Sequence, residues 1–412
     1  MAGDGAWFTA LLRHEGHDAS WVIGVDKYRG TLEGIIPPPL EHIGHPADYD
    51  LVLYDQNGAG ETADDVRVHT PVIGSSAFAD DLELNRMHGL EFMEQCGIQV
   101  PPWKAFDSTD AAISWLRDTK KRTVFKPMGA ADTSTTYVSK DSDDMERYLG
   151  ILASRIRMKE FVLQEFVHGT EVSTEGWFNG TEWFAHNHTL ETKKLLAGDL
   201  GPATGCSGNV VWMPNRPTAL FSRGLQKATE SLRDVGYHGP IDLNAIVTES
   251  EVYGLEWTPR FGYDATPCFT RLLPMPFGEF CYTIALGETP TLNVARAPFC
   301  AAFRLHVPPY PAKSDPKKYA GVPVRGISLD NIDEWYLSDV RINEDGDMET
   351  IGTDGFIGAY LAVGDTIHDA FASCREVIGK IIIPDLGWRS DVEDCCVKRY
   401  IALQQEGWLR QL

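Results

Sequence analysis

Two stretches of this chain bring oxygen ligands onto what the pattern predicts as neighbouring strands. "GPIDLNAIVT" at 239–248 carries Asp242 and Asn244, and "EVYGLEWTPRFGYDATP" at 251–267 carries Glu256, with Arg260 four residues later. Hard carboxylate and amide oxygens from a strand pair suit Mg²⁺, which takes one or two carboxylates and leaves the rest of its shell to water and substrate phosphates. Taken alone, a glutamate and an arginine ending an apolar run also fit a surface hairpin tip.

Upstream, "VFKPMGAADTSTTYV" at 124–138 ends a strand on Lys126 before a turn of small residues. Backbone N–H groups in such a turn can approach a phosphate while the lysine supplies charge. The spacing is not G-x-x-x-x-G-K-[ST], and an ordinary hairpin is the alternative. "LQEFVHGTEVS" at 163–173 is a strand, a glycine turn and Glu171. A strand edge offers backbone donors and acceptors to a base, and Glu171 could accept from ribose hydroxyls; a polar strand end is the other reading.

The elements that must position these groups follow from periodicity. "AWFTALLRHEGH" has helical spacing and stops at Gly16, and "SWVIGVD", "DLVLYD" and "TPVIG" are strand-length apolar runs, so residues 1–80 read as a small parallel α/β domain. "GIIPPPLEHIGHP" is a loop by its prolines. The pattern predicts one helix over 81–96, closed by Gly97 and by Pro101 and Pro102. It then predicts strand "RTVFKP", the turn "MGAADTS", strand "TTYVSK" and a helix "DSDDMERYLGILASRI" capped by Asp141.

"EFVLQEFV" and "EVSTEGWFNGTEWFAHNHT" read as antiparallel strands with "NGT" as the second one's turn. "LETKKLLAGDLGPATGCSGNVVW" lacks periodicity and reads as a long loop, and such loops are usually functional or disordered. A helix is expected over about 218–235, ending at Gly236. The last 110 residues look β-rich, closing on "GFIGAYLAVG", a helix "TIHDAFASCREVIGKI" and "IPDLGWRSD". No internal repeat is present.

Length and charge bound the function. At 412 residues the chain predicts two to three domains, and 43% hydrophobic with 23% charged residues are globular values. Its 37 basic and 59 acidic residues give a formal charge of −22, a field that argues against general nucleic-acid binding. Eight cysteines without a CxxC pair read as reduced thiols of a cytoplasmic protein. No signal sequence is expected, and no run reaches the roughly 18 apolar residues of a membrane span. "HEGH" at 14–17 lacks H-E-x-x-H spacing, and the two histidines of "HNH" at 186–188 share one strand face, so packed or solvent-facing histidines are expected.

In register over nearly the whole length, six motifs resemble those of the ATP-grasp enzymes, and more narrowly the glycinamide ribonucleotide synthetases. "LELNRMHGLEFMEQCGIQVP" is similar to the family's helix with a Ser-Lys pair, with Arg86 where the lysine is expected. "FKPMG" stands where the family has a lysine, an acidic residue and glycine, and "LQEFVHGTEVS" is similar to its hinge strand. "GDLGPATGCSG" is close to its Gly-Pro-Asn-Thr-Gly-Gly-Met-Gly loop. "GLEWTPRFG" resembles Glu-Phe-Asn-x-Arg-Phe-Gly, and "METIGTDGFIGAYLAVGDTIHDAF…GWRSDV" resembles the C-terminal segment. A biotin-dependent carboxylase shares the grasp pattern, but the terminal segment fits the synthetase better.

The resemblance implies an α/β and α+β multidomain fold. A parallel α/β domain would occupy 1–80, an ATP-grasp domain 81–295 with a lid over about 120–186, and a β-rich domain 296–412. It implies ATP and Mg²⁺ or Mn²⁺ as cofactors, small-molecule carboxylate and amine substrates, no membrane, and a monomer or homodimer. By position, Arg86 and Lys126 would contact ATP phosphates, Gln164, Glu165 and Val167 the adenine, and Glu171 the ribose. Glu256 would ligate the metal with Asp242 or Asn244. Lys193, Gly201, Pro202, Thr204 and Gly205 would line the substrates, and Arg260 would hold phosphate or an acyl phosphate, with Lys126 and Arg260 as catalytic cations.

Four positions depart from the family. Thr258 stands where the family has a metal-binding asparagine. "AADTSTT" replaces a glycine-rich lid turn, leaving Ser134, Thr135 and Thr136 hydroxyls to bond phosphate. "YDA" replaces Asp-Pro-Glu. "MAGDGAWF" opens just before the first helix, so the expectation is that the family's first strand is absent or that the start is misplaced.

Overall fold

Asn85 divides the helix that the pattern predicts over 81–96. Its backbone leaves the helical region at φ −101° and ψ 86°, and its Oδ1 accepts from the His88 N–H at 3.4 Å, so it caps a new helix. A computed structural model of the chain describes residues 4–128, 136–155, 160–289, 292, 295–311 and 319–412. The N-terminal part runs α1 (Asp4–His14), β1 (Val52–Leu53), α2 (Gly60–Arg67), β2 (Val72–Ile73), α3 (Ala77–Leu84) and α4 (Arg86–Gln95). β1 and β2 pair in parallel. The strand expected at "SWVIGVD" does not form. Val22 makes a single bridge to Leu40, because the facing run holds three consecutive prolines, 37 to 39, without N–H groups to extend a ladder.

The next unit comprises β3 (Trp103–Phe106), α5 (Thr109–Thr119), β4 (Thr123–Pro127), β5 (Tyr137–Val138), α6 (Ser142–Arg155) and β6 (Phe161–Glu165). Its antiparallel sheet has the order β3-β6-β4-β5. Phe125, Phe161 and Leu163 alternate onto one face and pack against Leu116, Met145 and Leu149 of the two helices. Lys126 and Gln164 fall on the other face. Asp141 Oδ1 accepts the Asp144 N–H at 2.8 Å, the expected cap. The turn 129–135, with Ser134 and Thr135, lies outside the described residues.

The largest sheet begins with β7 (Thr170–Asn179), β8 (Trp183–Leu196) and β9 (Leu200–Trp212). The long loop expected over 190–212 is therefore a hairpin. Gly201 and Gly205 enter the strand at φ +78° and +80°, and the pairing slips on either side of Lys194, which hides the strand period from the sequence. The helix expected over 218–235 is broken by Gly224 into α7 (Ala219–Arg223), a 3₁₀ turn and α8 (Thr229–Asp234). β10 (His238–Val247) and β11 (Val252–Thr258) form the expected hairpin, followed by α9 (Ala265–Leu272) and α10 (Phe277–Ala285).

After β12 (Phe299–His306) come β13 (Trp335–Leu337), β14 (Val340–Ile342), β15 (Met348–Thr350), β16 (Phe356–Gly364), α11 (Ile367–Ile378) and α12 (Val392–Gln405). The eight-stranded order is β11-β10-β7-β8-β9-β12-β16-β13, so strands from both sides of residue 296 share one antiparallel sheet. One face buries Val172, Leu190, Val210, Leu243 and Phe303 in the main core. On the other, Trp177, Val211 and Ala302 pack under Phe269 and Phe280 of α9 and α10. Among the described residues, no helix is long and apolar enough to cross a membrane.

Candidate active site

Beside the Trp177 cluster the same sheet face turns polar, and strand register arranges it in rows. Glu256 stands opposite Asn244, which stands opposite Ser173, which stands opposite Thr189. The adjacent row reads Thr258, Asp242, Glu175, Asn187. Glu191 faces Asn209. Period-two alternation puts Glu171 and Lys193 on this face as well.

Cations converge on the outer end of this floor. Arg86, the first residue of α4, lies 3.6 Å from Glu256, and Lys193 lies 2.7 Å from Glu171. Lys126 reaches across from the small sheet, and its Nζ donates to the Leu255 carbonyl at 3.3 Å. Burial opposes charge on Glu256, yet Lys193, Arg86 and Lys126 outweigh it and hold the carboxyl down at about 2. Burial, with Arg86 next, pushes the Lys126 ammonium down to about 7. Burial also opposes the Lys193 charge, but Glu171, Glu256 and Glu191 push its pKa up.

At the inner end the signs reverse. Burial and the neighbouring Asp242 push Glu175 up to about 8, and burial and Glu191 push Asp242 up to about 7. The linker 166–169 joins β6 to β7 and so connects the two sheets. Gln164 is buried at its entrance, Glu165 is ion-paired with Lys121, and Val167 lies within it. The Phe166 N–H donates to the Arg122 carbonyl at 3.0 Å, and the Arg122 guanidinium stacks 3.5 Å from the Phe166 ring.

A charged cleft between two antiparallel sheets, connected through one linker, is matched in known proteins. Residues 85–266 match the model of the phosphoribosylglycinamide synthetase ATP-grasp (A) domain. Over that stretch the chain is similar to an ATP-grasp domain. A phosphoribosylamine--glycine ligase of Neisseria meningitidis serogroup B is 22% identical over 402 residues, 90% of this chain and 92% of that protein. The crystal structure of phosphoribosylamine--glycine ligase from Thermotoga maritima has a TM-score of 0.64 at 20% identity, covering 78% of this chain and 81% of that one. A biotin carboxylase from Campylobacter jejuni shares the fold at TM-score 0.58 and 13% identity, covering 85% of this chain and 78% of that one.

The cleft thus gathers Arg86, Lys126, Glu171, Lys193, Asn244 and Glu256. Its metal-side donors fit a hard dication. Glu256 is ionised, and Asn244, directly opposite, keeps a buried Oδ1 with no hydrogen-bond partner among the described residues while its Nδ2 donates to Ser173 at 3.0 Å. Asp242 stands one row away, opposite Thr258 and Glu175, so Asn244 is the donor that faces Glu256. Among the described residues no group of three His, Cys, Asp or Glu could hold a metal, which leaves phosphate and water oxygens to complete such a shell.

Arg260 pairs with a carboxylate of α3. Its guanidinium forks onto Glu83 of α3, with Nε and Nη2 each donating, the shortest at 2.9 Å, and it lies 4.7 Å from the Tyr263 ring. Along β9, Thr204 Oγ1 hydrogen-bonds the Lys193 carbonyl at 3.2 Å, and a side chain at Gly205 would meet the Tyr263 ring at 3.4 Å. Gly201 and Pro202 are exposed toward the hairpin tip. That tip is clamped by Arg389, a fully buried side chain that donates to the Lys194 carbonyl at 3.0 Å and pairs with Asp199 and Asp391.

Sequence reasoning missed Glu83, Glu175, Asn187, Glu191, Asn209 and Arg389. The signal for four of them was present as period-two polarity in "EVSTE", "NHTLETK" and "SGN", read as strands or loop without asking which face they shared. His186 and His188 are packed on the opposite, apolar face, as expected. His186 stacks on Phe221 with centroids 4.3 Å apart, and His188 bonds Thr174 and Thr218.

Proposed function

We propose that this chain is an ATP- and Mg²⁺-dependent ligase of the phosphoribosylamine–glycine ligase type, joining a carboxylate to an amine through an acyl phosphate. The observation that carries it is the meeting of Lys126, Arg86 and Lys193 around the ionised Glu256, in a cleft between two connected sheets. Lys126 and Arg86 neutralise the β- and γ-phosphates, and Glu171 with the Lys193 pair takes the ribose side. The hinge at Gln164, Glu165 and Val167 takes the adenine. Glu256 and Asn244 would hold the metal, which would supply charge neutralisation for the transferring phosphoryl group.

The γ-phosphoryl group passes to a substrate carboxylate oxygen and ADP leaves. The amine nitrogen then bonds the acyl carbon, phosphate departs, and the amine gives up a proton. Arg260, anchored by Glu83, holds the phosphate or acyl phosphate at the mouth of the glycine-rich strand, beside Thr204 and Gly205. The small sheet, closing on the floor through Lys126, keeps water from the activated acyl group. No protein nucleophile is required. Eight free cysteines fit a cytoplasmic setting, and the substrates are small molecules.

The test is ADP release from Mg-ATP with glycine and freshly made phosphoribosylamine, each omitted in turn. ADP that requires both substrates supports the synthetase reaction. ADP only with another carboxylate and amine supports a ligase with a changed substrate, and nucleotide binding without ADP from any pair overturns the ligase reading.

A further inference from the structure

The inner row of the floor is built for a ligand that the phosphate site does not use. Glu175 Oε1, Asp242 Oδ1 and Asn187 Oδ1 are buried acceptors on neighbouring strands, and these three atoms have no hydrogen-bond donor among the described residues, although the Trp177 indole and the Gly262 N–H lie beside the Glu175 carboxyl and Ser173 beside Asp242. Glu175 is 2% exposed and Asn187 fully buried, while Asp242 is only half-buried. Behind them, a side chain at Gly262 would lie 3.4 Å from Glu175 Oε2 and 3.8 Å from Thr266 Oγ1, whose hydroxyl is also buried and unpartnered among the described residues.

Three acceptors in one row call for several N–H donors on one small group. An ammonium offers three, and its charge favours the ionised, acceptor-only form of two carboxyls that burial otherwise keeps protonated, which a neutral donor would not do. A metal is less suited, since no cluster of three ligating side chains occurs among the described residues. The formal charge of −22 draws cations toward such a floor. We propose that Asp242, Glu175 and Asn187 bind an ammonium group that one substrate carries in addition to its reacting group. This rests on the ligase reading and names its substrate class: a small diamine or a basic amino acid.

Adjacent rows are two residues apart along a strand, so the ammonium sits about 7 Å from the Glu256–Asn244 row, roughly the span of a four-carbon diamine. The test is calorimetric binding, with Mg²⁺ and a non-hydrolysable ATP analogue present, of putrescine against pentylamine and of lysine against norleucine. The doubly charged amine and lysine are expected to bind at least tenfold tighter than their neutral-tailed partners. That preference should fall to within about twofold in Glu175→Gln and in Asn187→Leu, with analogue binding retained as the check on folding.

Equal binding of charged and neutral members overturns the proposal. So does no binding of either while the analogue binds, or a preference untouched by both substitutions. ADP release with glycine and phosphoribosylamine but no charge preference leaves the ligase reading standing and removes this one. A charge preference without ADP from any pair does the reverse.

Discussion

Lys126 on the lid and Leu255 on the floor are joined by a hydrogen bond, Nζ donating to the carbonyl at 3.3 Å. Leu255 precedes Glu256, so the cation of the small sheet is tied to the backbone beside that carboxylate, and the carboxylate itself remains for Arg86 and for the proposed dication. The link costs something, because a lysine with its pKa pushed down to about 7 pays for burial without a carboxylate bonded to it.

Replacing Lys126 with Met should therefore separate catalysis from stability. ADP release should fall about 100-fold or more, as when a preorganised phosphate contact is lost. The melting temperature should hold or rise, since the methionine buries no charge. Turnover within about threefold of the parent would remove Lys126 from the phosphate site.

The metal row gives a second expectation. Glu256→Gln should abolish turnover, and Asn244→Ala should raise the Mg²⁺ concentration for half-maximal ADP release by about tenfold, because two outer-sphere or inner-sphere oxygens are lost or weakened. Thr258→Asn, supplying the amide oxygen in place of a hydroxyl, should lower that concentration. A Mg²⁺ titration of each variant decides it. An unchanged curve in Asn244→Ala would return the second-ligand role to Asp242.

How far the sequence reached can be seen in particular residues. Glu256, Asn244 and Lys126 were legible because strand ends and oxygen donors are local properties. Glu175 was not, because its meaning depends on which residues of three other strands stand beside it. The glycine-rich stretch was misread as a loop because glycines at φ +78° and +80° erase alternation while still allowing pairing. Asn85 could have been read as a cap from its type alone. Arg260 was legible as a candidate cation, but its partner Glu83 is 177 residues away in the chain and no spacing announces it.

The clamp at the β8–β9 tip yields a third expectation. Arg389 bonds Asp391 at 2.6 Å and the Lys194 carbonyl at 3.0 Å, and Asp391 in turn accepts the Gly198 N–H at 2.8 Å. Arg389→Ala should cost about 1.5–3 kcal/mol in urea unfolding, the scale of a lost charged hydrogen-bond set. It should also raise KM for the acceptor substrates several-fold through the loosened Gly201–Gly205 strand. KM for ATP should stay near the parent value. Parallel losses in both would make the clamp a matter of global stability alone.

His186 supplies a pH test independent of the cleft. It is buried, and burial pushes its imidazole down to about 4 from the usual 6.5, so the unfolded chain takes up a proton between those values that the folded chain refuses. Stability then falls as pH drops below 6.5, by about 2 kcal/mol at pH 5 from this one group. Glu175 and Asp242, with raised values, act with the opposite sign in the same range, so the total slope is not diagnostic. The difference between two proteins is. In His186→Phe the ring stack on Phe221 is kept and the titrating group is gone. Between pH 7.5 and pH 5 the variant should lose about 2 kcal/mol less than the parent in urea unfolding. Identical losses would mean that His186 takes up its proton in the folded state, with the ring reaching solvent.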